Sequence, residues 1–264
     1  MNGGASQVPQ VVTYNDILKG FKKLPLGKNP LILVHSSLKS FGYVEGGAET
    51  VIAALLGLCG DGGTLVMPAL SYRSVNESNP FFDVLETPSD CGIITETFRK
   101  MPYTRRSIHV VSSAAAMGEK ADYITCFHDD TPCGYGTPYR KVIENDGYCL
   151  FIGTGFESNT LFHAAEEHVN PFYIKYKSIE YVRVKGYDRF IKLCSFRRYN
   201  CHQTGIIRKL KKMSAVFEQE GVLSRVKLGN SVITLIKARD NFRLCCDVLK
   251  SNPWFIIDKS ETLK

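Results

Sequence analysis

At 264 residues, 44% hydrophobic and 22% charged, the chain has the make-up of an ordinary globular protein that is long for one domain and short for two. No window nears the ~18 continuous apolar residues of a membrane span, and the longest apolar run, Val51 to Cys59, is of helix-core length, so no membrane partner is expected. The net charge of +7 is unevenly placed: positions 171–264 hold 20 Lys and Arg against 8 Asp and Glu, and positions 1–170 hold 13 against 18. A solvated basic face and an anionic partner both account for that asymmetry.

In chain order, residues 1–12 read as a disordered tail, because MNGGASQVPQ has neither the basic start nor the apolar middle of a signal peptide. Leu31–Ser37 predicts an apolar strand that turns polar at its end, Glu49 to Leu58 a helix entered through Gly46-Gly47, and Gly63–Pro68 a second buried strand. A helix over Ile93–Met101, a strand near Val110–Ala116, a strand over Tyr148–Gly153 and a helix over Asn159–His168 follow. Strands apolar on both faces that alternate with helices point to a sheet covered on both sides. Past Pro171 the style changes. Ser178–Lys185 and Arg189–Phe196 alternate with period two around Gly186-Tyr187-Asp188, a β-hairpin pattern. A basic helix over Ile206–Glu220, a strand over Ser231–Ile236 and a helix over Asn241–Leu249 complete the chain. The expected architecture is α/β, a three-layer sandwich with a mixed central sheet between helices and a smaller C-terminal α+β lobe. Residues 13–264 then form one domain, with a core over 13–170 and the lobe over 171–264.

Nine cysteines, an odd count without a CxxC pair, sit largely in apolar company such as Leu58-Cys59 and Cys149-Leu150. They read as buried thiols in a reducing compartment, so a cytoplasmic location is expected.

The segment from Thr154 to His168 is the richest in chemistry. A buried strand runs into a glycine turn, Ser158 or Asn159 is a plausible N-cap, and the helix carries His163, Glu166 and Glu167. At helical spacing His163 shares a face with Glu166 (i, i+3) and Glu167 (i, i+4). An imidazole beside a carboxylate suits a general base, because the acid orients the ring and stabilises the imidazolium. The plain alternative is a surface His–Glu pair on an amphipathic helix. Zinc is the other alternative, but His163-Ala-Ala-Glu-Glu-His168 matches neither the HxxEH nor the HExxH pattern.

His35-Ser36-Ser37 closes the first strand, where α/β folds bind ligands, and the loop from Ser37 to Gly47 offers hydroxyls and free N–H groups. Arg105-Arg106-Ser107-Ile108-His109 supplies guanidiniums for phosphate contacts or, equally, for a solvated surface. Thr131–Tyr139 is a rigid, turn-rich loop that would wall a pocket, and its Cys133 has no neighbour that would lower a thiol pKa.

Taken together and in order, these segments resemble the aminoglycoside 3-N-acetyltransferase family of the antibiotic N-acetyltransferase superfamily. The matching strings are VHSSLKSFGYVEGGAETVIAALL (34–56), GGTLVMPALSY (62–72), CGIITETFRK (91–100), RRSIHVVSSAAAMG (105–118), TPCGYGTPY (131–139) and NTLFHAAEE (159–167). The resemblance implies a ternary complex of acetyl-CoA, as co-substrate, with an amine-bearing acceptor, and it requires no metal. By motif position, His163 looks like the family's catalytic histidine and Glu166 its partner. On the same basis His35, Ser36, Ser37, Leu38, Gly42, Tyr43 and Val44 look like the stretch beside the CoA arm and phosphates. Arg106, Ser107, His109, Ser112 and Ser113 would line its other side, and Tyr72, Glu167 and Tyr139 would meet the acceptor. The chain departs from the family's usual His-Pro and Ser-Pro at His109-Val110 and Thr137-Pro138, which bears on local loop geometry.

The expected activity is therefore acetyl transfer to a primary amine of an amino sugar or aminoglycoside, as in antibiotic resistance. The basic C-terminal part disfavours a polycation, so an anionic nucleotide-linked or glycan amino sugar is the alternative acceptor. Thioester hydrolysis and a non-enzymatic polyanion-binding module using Lys209, Lys211 and Lys212 are further alternatives. No nucleic-acid motif is present, and a homodimer stays open.

Overall fold

A computed structural model describes residues 11–199 and 206–258. The order begins with β1 (Val11–Val12), α1 (Tyr14–Phe21), β2 (Leu31–Ser36), β3 (Tyr43–Val44), α2 (Gly47–Cys59), β4 (Thr64–Pro68), β5 (Phe81–Asp83) and α3 (Ile93–Arg99). It continues with β6 (Arg105–Arg106), β7 (Ala114–Gly118), α4 (Ala121–Thr125), α5 (Pro138–Glu144), β8 (Tyr148–Ile152) and α6 (Thr160–Val169). The C-terminal third holds β9 (Tyr176–Lys185), β10 (Ile191–Tyr199), α7 (Met213–Gln219), β11 (Ser224–Leu228), β12 (Ser231–Lys237) and α8 (Ala238–Ser251).

Seven strands form the central mixed sheet in the order β11-β12-β8-β2-β4-β7-β6. The centre, β8-β2-β4, is parallel and both flanks are antiparallel. Strand alternation explains why these segments look apolar throughout. Ile32, Val34, Leu150 and Ile152 point into one core with α1, α2 and α3, whereas Leu31, Leu33, Cys149 and Phe151 point into the other with α4, α5, α6 and α8. A second sheet, β10-β9-β5, encloses a small core of its own around Phe82, Val182, Val184 and Phe196.

The expected three-layer α/β sandwich is present, and the C-terminal third divides between its two sheets. The hairpin β9–β10 builds the small sheet, whereas β11, β12 and α8 complete the large one. The edge strand β11, with its Arg and Lys, escapes sequence reading. Val11–Val12, within the stretch read as a tail, pairs with Tyr43–Val44, and positions 1–10 lie outside the described residues. The helix expected over Ile206–Glu220 is shortened. Arg208 forms a β-bridge to Ile257 and Lys209 N–H donates to the Ile256 carbonyl, so the backbone at 206–209 is committed to the C-terminal segment. Only Leu210–Lys212, a 3₁₀ turn, and α7 are helical.

Candidate active site

At the end of β8 the chain turns at Gly153, whose φ of +59° and whose contact with Ser40 leave no room for a Cβ. A 3₁₀ turn over Phe156–Ser158 then delivers Asn159, whose side chain accepts from Leu161 N–H and caps α6. This places His163 in the first turns of α6, with its side chain 23% exposed. His163 Nδ1 lies 2.6 Å from Glu166 Oε2. A carboxylate accepts, so the neutral ring carries its proton on Nδ1 and keeps its lone pair on Nε2. Arg208 Nη1 donates to both oxygens of Glu166, at 2.7 and 3.0 Å. Burial pushes the Glu166 carboxyl up, and the bonds from His163 and Arg208 outweigh it and hold it below the usual carboxylate range.

Two cavities meet at His163. One, of about 560 Å³, opens at the C-terminal ends of β2, β4 and β8 and is bordered by His35, Ser36, Asp90, Thr154 and Glu157. The other, of about 540 Å³, is bordered by Ser112, Cys133, Arg198, Tyr199 and Arg208. Leu70, Tyr72, Thr160 and His163 belong to both walls. The imidazole thus stands between two compartments, one with acidic and one with basic side chains at its border. The hydroxyls of Ser36 and Thr154 are buried without a hydrogen-bond partner.

Other residues singled out in the sequence separate into three groups. Tyr72 and Ser112 border the cavities, as do His35 and Ser36. His35 is stacked on Phe151 and faces the Thr160 hydroxyl at 3.3 Å; burial, then the nearby His163, lowers its pKa to about 3, so it is neutral. Ser37 donates its N–H to the Ile152 carbonyl, and Leu38 opens a 3₁₀ turn. Leu38, Gly42, Tyr43 and Val44 border neither cavity; Tyr43 is exposed on β3 and Val44 is in the core.

The third group is committed to the protein itself. Arg106 is buried, with its guanidinium bonded to Ser113, Ser71 and the carbonyls of Thr87 and Ala69. Few of its donors are left for a phosphate. Ser107 bonds His128 and the Ala114 N–H, and His109 Nδ1 accepts from the N–H groups of Val111 and Ser112. Tyr139 is fully buried, its hydroxyl on the Ser112 and Ser113 carbonyls. These side chains pack behind Ser112 and border neither of the cavities at His163. In the departures noted above, Thr137 is the N-cap of α5 with Pro138 after it, and Val110 is core.

Glu167 turns away from the imidazole of His163. Its carboxylate accepts from the Tyr199 hydroxyl at 2.5 Å and the Cys133 N–H at 2.7 Å. It borders a third cavity of about 500 Å³ with Asp129, Tyr135, His168 and Tyr176. Burial raises its pKa, and those hydrogen bonds offset only part of the rise. Tyr199 borders the second of the cavities at His163, its ring 5.2 Å from the His163 ring. Tyr199 and Arg208 had no local signal in the sequence; each reaches α6 across more than thirty residues.

Burial and the nearby Glu167 raise the Cys133 thiol well above its ordinary value, which removes it as a nucleophile. His168 packs against Phe242, and no group of three His, Cys, Asp or Glu able to hold a metal occurs among the described residues. Much of the charge asymmetry is resolved internally. Lys177, Arg189, Arg197, Arg208 and Arg239 pair with Glu77, Asp83, Asp130, Glu166 and Asp146 of the first 170 residues. Lys212 donates to the Phe255 and Ile257 carbonyls and Lys209 pairs with Asp258. No helix among the described residues is long and apolar enough to cross a membrane.

A family model described as aminoglycoside 3-N-acetyltransferase matches residues 33–250. The SPbeta prophage-derived aminoglycoside N(3')-acetyltransferase-like protein YokD of Bacillus subtilis (strain 168) is 34% identical over 178 residues, 60% of this chain and 65% of that protein. Aminoglycoside N(3)-acetyltransferase IV of Salmonella sp is 37% identical over 145 residues, 54% of this chain and 55% of that protein. The chain thus matches less than two thirds of the length of either curated relative. Over whole folds the likeness is broader. The crystal structure of YokD from Bacillus subtilis superposes with a TM-score of 0.80 at 27% identity, over 94% of this chain and 96% of that one. A structure described as AAC-IIIb binary with CoASH gives 0.81 at 24% identity, over 92% and 97%, a likeness of fold alone. The chain belongs to the aminoglycoside 3-N-acetyltransferase family.

Proposed function

We propose that the protein transfers the acetyl group of acetyl-CoA to a primary amine of an amino-sugar acceptor, with His163 as general base. The observation that carries this reading is the position of His163: its Nδ1 is tied to a buried carboxylate and its ring stands where two substrate-sized cavities meet. A direct transfer needs both substrates at one base. The acceptor nitrogen attacks the thioester carbonyl carbon, Nε2 takes the proton from that nitrogen, the C–S bond breaks and the proton passes to the departing CoA sulfur. Glu166 stabilises the imidazolium between those two events. The unpartnered hydroxyls of Ser36 and Thr154 offer hydrogen bonds to the substrate that fills the cavity they border. Juxtaposing the two substrates supplies much of the remaining rate.

Asp90 and Glu157 beside one cavity suit a cationic, aminoglycoside-like acceptor, with CoA phosphates toward Arg198 on the other side. The same Arg198 supports the second reading, an anionic nucleotide-linked amino sugar in the basic compartment. The eight free cysteines among the described residues fit a reducing, cytoplasmic setting.

Thiol release from acetyl-CoA tests the reading, run with gentamicin, with a nucleotide-linked amino sugar and without any amine. Amine-dependent release is expected, and His163→Ala should lower it by about 10²–10⁴-fold while acetyl-CoA still binds. Release that ignores the amine would mean a hydrolase, and undiminished turnover in His163→Ala would remove the base.

A further inference from the structure

We propose that Arg208 is a positioning residue for the base: its guanidinium holds Glu166 as a carboxylate aimed at His163 Nδ1. The inference rests on the reading of His163 as the base and adds a residue from the far side of the fold. Arg208 is brought to α6 by its β-bridge to Ile257, which interrupts the helix pattern at that point. Its Nη1 lies 2.7 and 3.0 Å from the two oxygens of Glu166, and its Cζ lies 6.0 Å from the centre of the Tyr199 ring.

Glu166 is completely buried, and burial opposes its charge. Arg198 on β10 borders one cavity at His163 and makes no ion pair with Glu166, Asp90 and Glu157 border the other cavity, and the remaining titratable groups that face the pair supply no cation. They are His35 on β2, Glu167 on α6, Cys133 in the loop before α5, Tyr176 on β9, Tyr199 on β10 and Cys245 on α8. His35 is neutral, and Glu167 lends no positive charge. Among the described residues Arg208 is the one Lys or Arg paired with Glu166.

The consequence concerns where a proton sits. Without the guanidinium, the buried His163–Glu166 pair binds a proton more tightly, whether as a carboxylic acid beside a neutral ring or as a carboxylate beside an imidazolium. Both states disable the base, the first by removing the orienting charge and the second by occupying Nε2. Arg208 thus keeps the pair proton-poor at rest, and its direct bonds keep the carboxylate from rotating away.

The test is the titration of His163 followed through its ring ¹³Cε1 resonance, identified by its absence in His163→Ala, in the substrate-free full chain. Arg208→Met should raise the midpoint by about one to three pH units, the span expected when an opposite charge is removed from beside a buried group. Arg208→Lys, which restores the charge without the two-oxygen fit, should give an intermediate midpoint. The acid limb of kcat/KM for thiol release should move with it, and activity should recover at higher pH. Circular dichroism of both variants checks folding, and Arg208→Lys carries the test where Arg208→Met does not fold. An unmoved midpoint together with an unmoved acid limb overturns the inference, because a merely structural arginine would lower activity equally at all pH. Turnover retained in His163→Ala would instead overturn the base itself, so the two failures are separable.

Discussion

His163 has one ring nitrogen tied to a carboxylate and its ring at the border of two cavities, and the proposed chemistry depends on the other nitrogen taking the proton. Exchanging the carboxylate for an amide keeps the shape and removes the charge. A Gln at position 166 also offers an N–H₂ that favours the wrong tautomer of the ring and removes the anion that Arg208 bonds on α6. Glu166→Gln is therefore expected to lower kcat by about 10²–10⁴-fold with little change in KM for acetyl-CoA, measured by steady-state thiol release. A large rise in KM with kcat intact would mean that Glu166 binds substrate and does not serve the base. The neighbouring Glu167 shows how far one residue shifts the role: one position along the helix, it anchors Tyr199 and the loop at Cys133.

Helix α6 is held at its start by an unusual cap. Asn159 caps its own helix and exchanges hydrogen bonds with Asn241 of α8, with amide distances of 2.9 and 3.2 Å, and both residues are buried. Two reciprocal amides satisfy each other, so removing one strands the other in a dry interior. Asn159→Ala is expected to cost about 2–4 kcal/mol, from the lost cap and the unsatisfied partner together. Asn241→Ala should cost about 1–3 kcal/mol. The double variant should be more stable than the sum of the two losses implies, by about 1 kcal/mol or more. Urea unfolding of the four proteins measures this coupling, and strict additivity would show that the amides act independently. Because α6 carries His163, the cap also helps to hold that side chain in place.

At the scale of the whole molecule, three histidines among the described residues are buried and neutral. Burial lowers His35 to about 3 and His109 to about 4, and His128 falls well below its ordinary value for the same reason. An unfolded histidine titrates near pH 6.5, so between that pH and the folded values the unfolded chain binds more protons than the native one. Stability is therefore fully present above about pH 6.5 and is lost as pH falls toward about 3–4, by about 2 kcal/mol at pH 5 for each of His35 and His109. Glu166, held low by its partners, adds a loss only further down, as pH falls below the ordinary glutamate range toward its own depressed value. Urea midpoints from pH 8 to pH 5 test this. A flat profile until carboxylates titrate would mean that these histidines are charged in the native state. The charge asymmetry belongs to the same scale: the basic C-terminal third finds much of its counter-charge in the acidic first part, as in the bidentate Arg189–Asp83 pair.

What can be read from the chain alone is what local periodicity and order encode. Apolar runs such as Leu31–Ser36 show strands buried on both faces, and the spacing of His163 and Glu166 places them on one side of a helix, since 3.6 residues per turn acts over a single turn. The ordered motifs carry the resemblance to the family, which the family model over residues 33–250 bears out. Tertiary structure alone decides which polar residues meet a cavity. Arg106, His109 and Tyr139 look like ligand contacts in a string, yet the fold turns their donors onto backbone carbonyls and neighbouring hydroxyls, while Tyr199 and Arg208 arrive at α6 from elsewhere in the sequence. The physical reason is that a buried polar group must be satisfied by whatever the packing brings beside it, and sequence spacing does not report that neighbour.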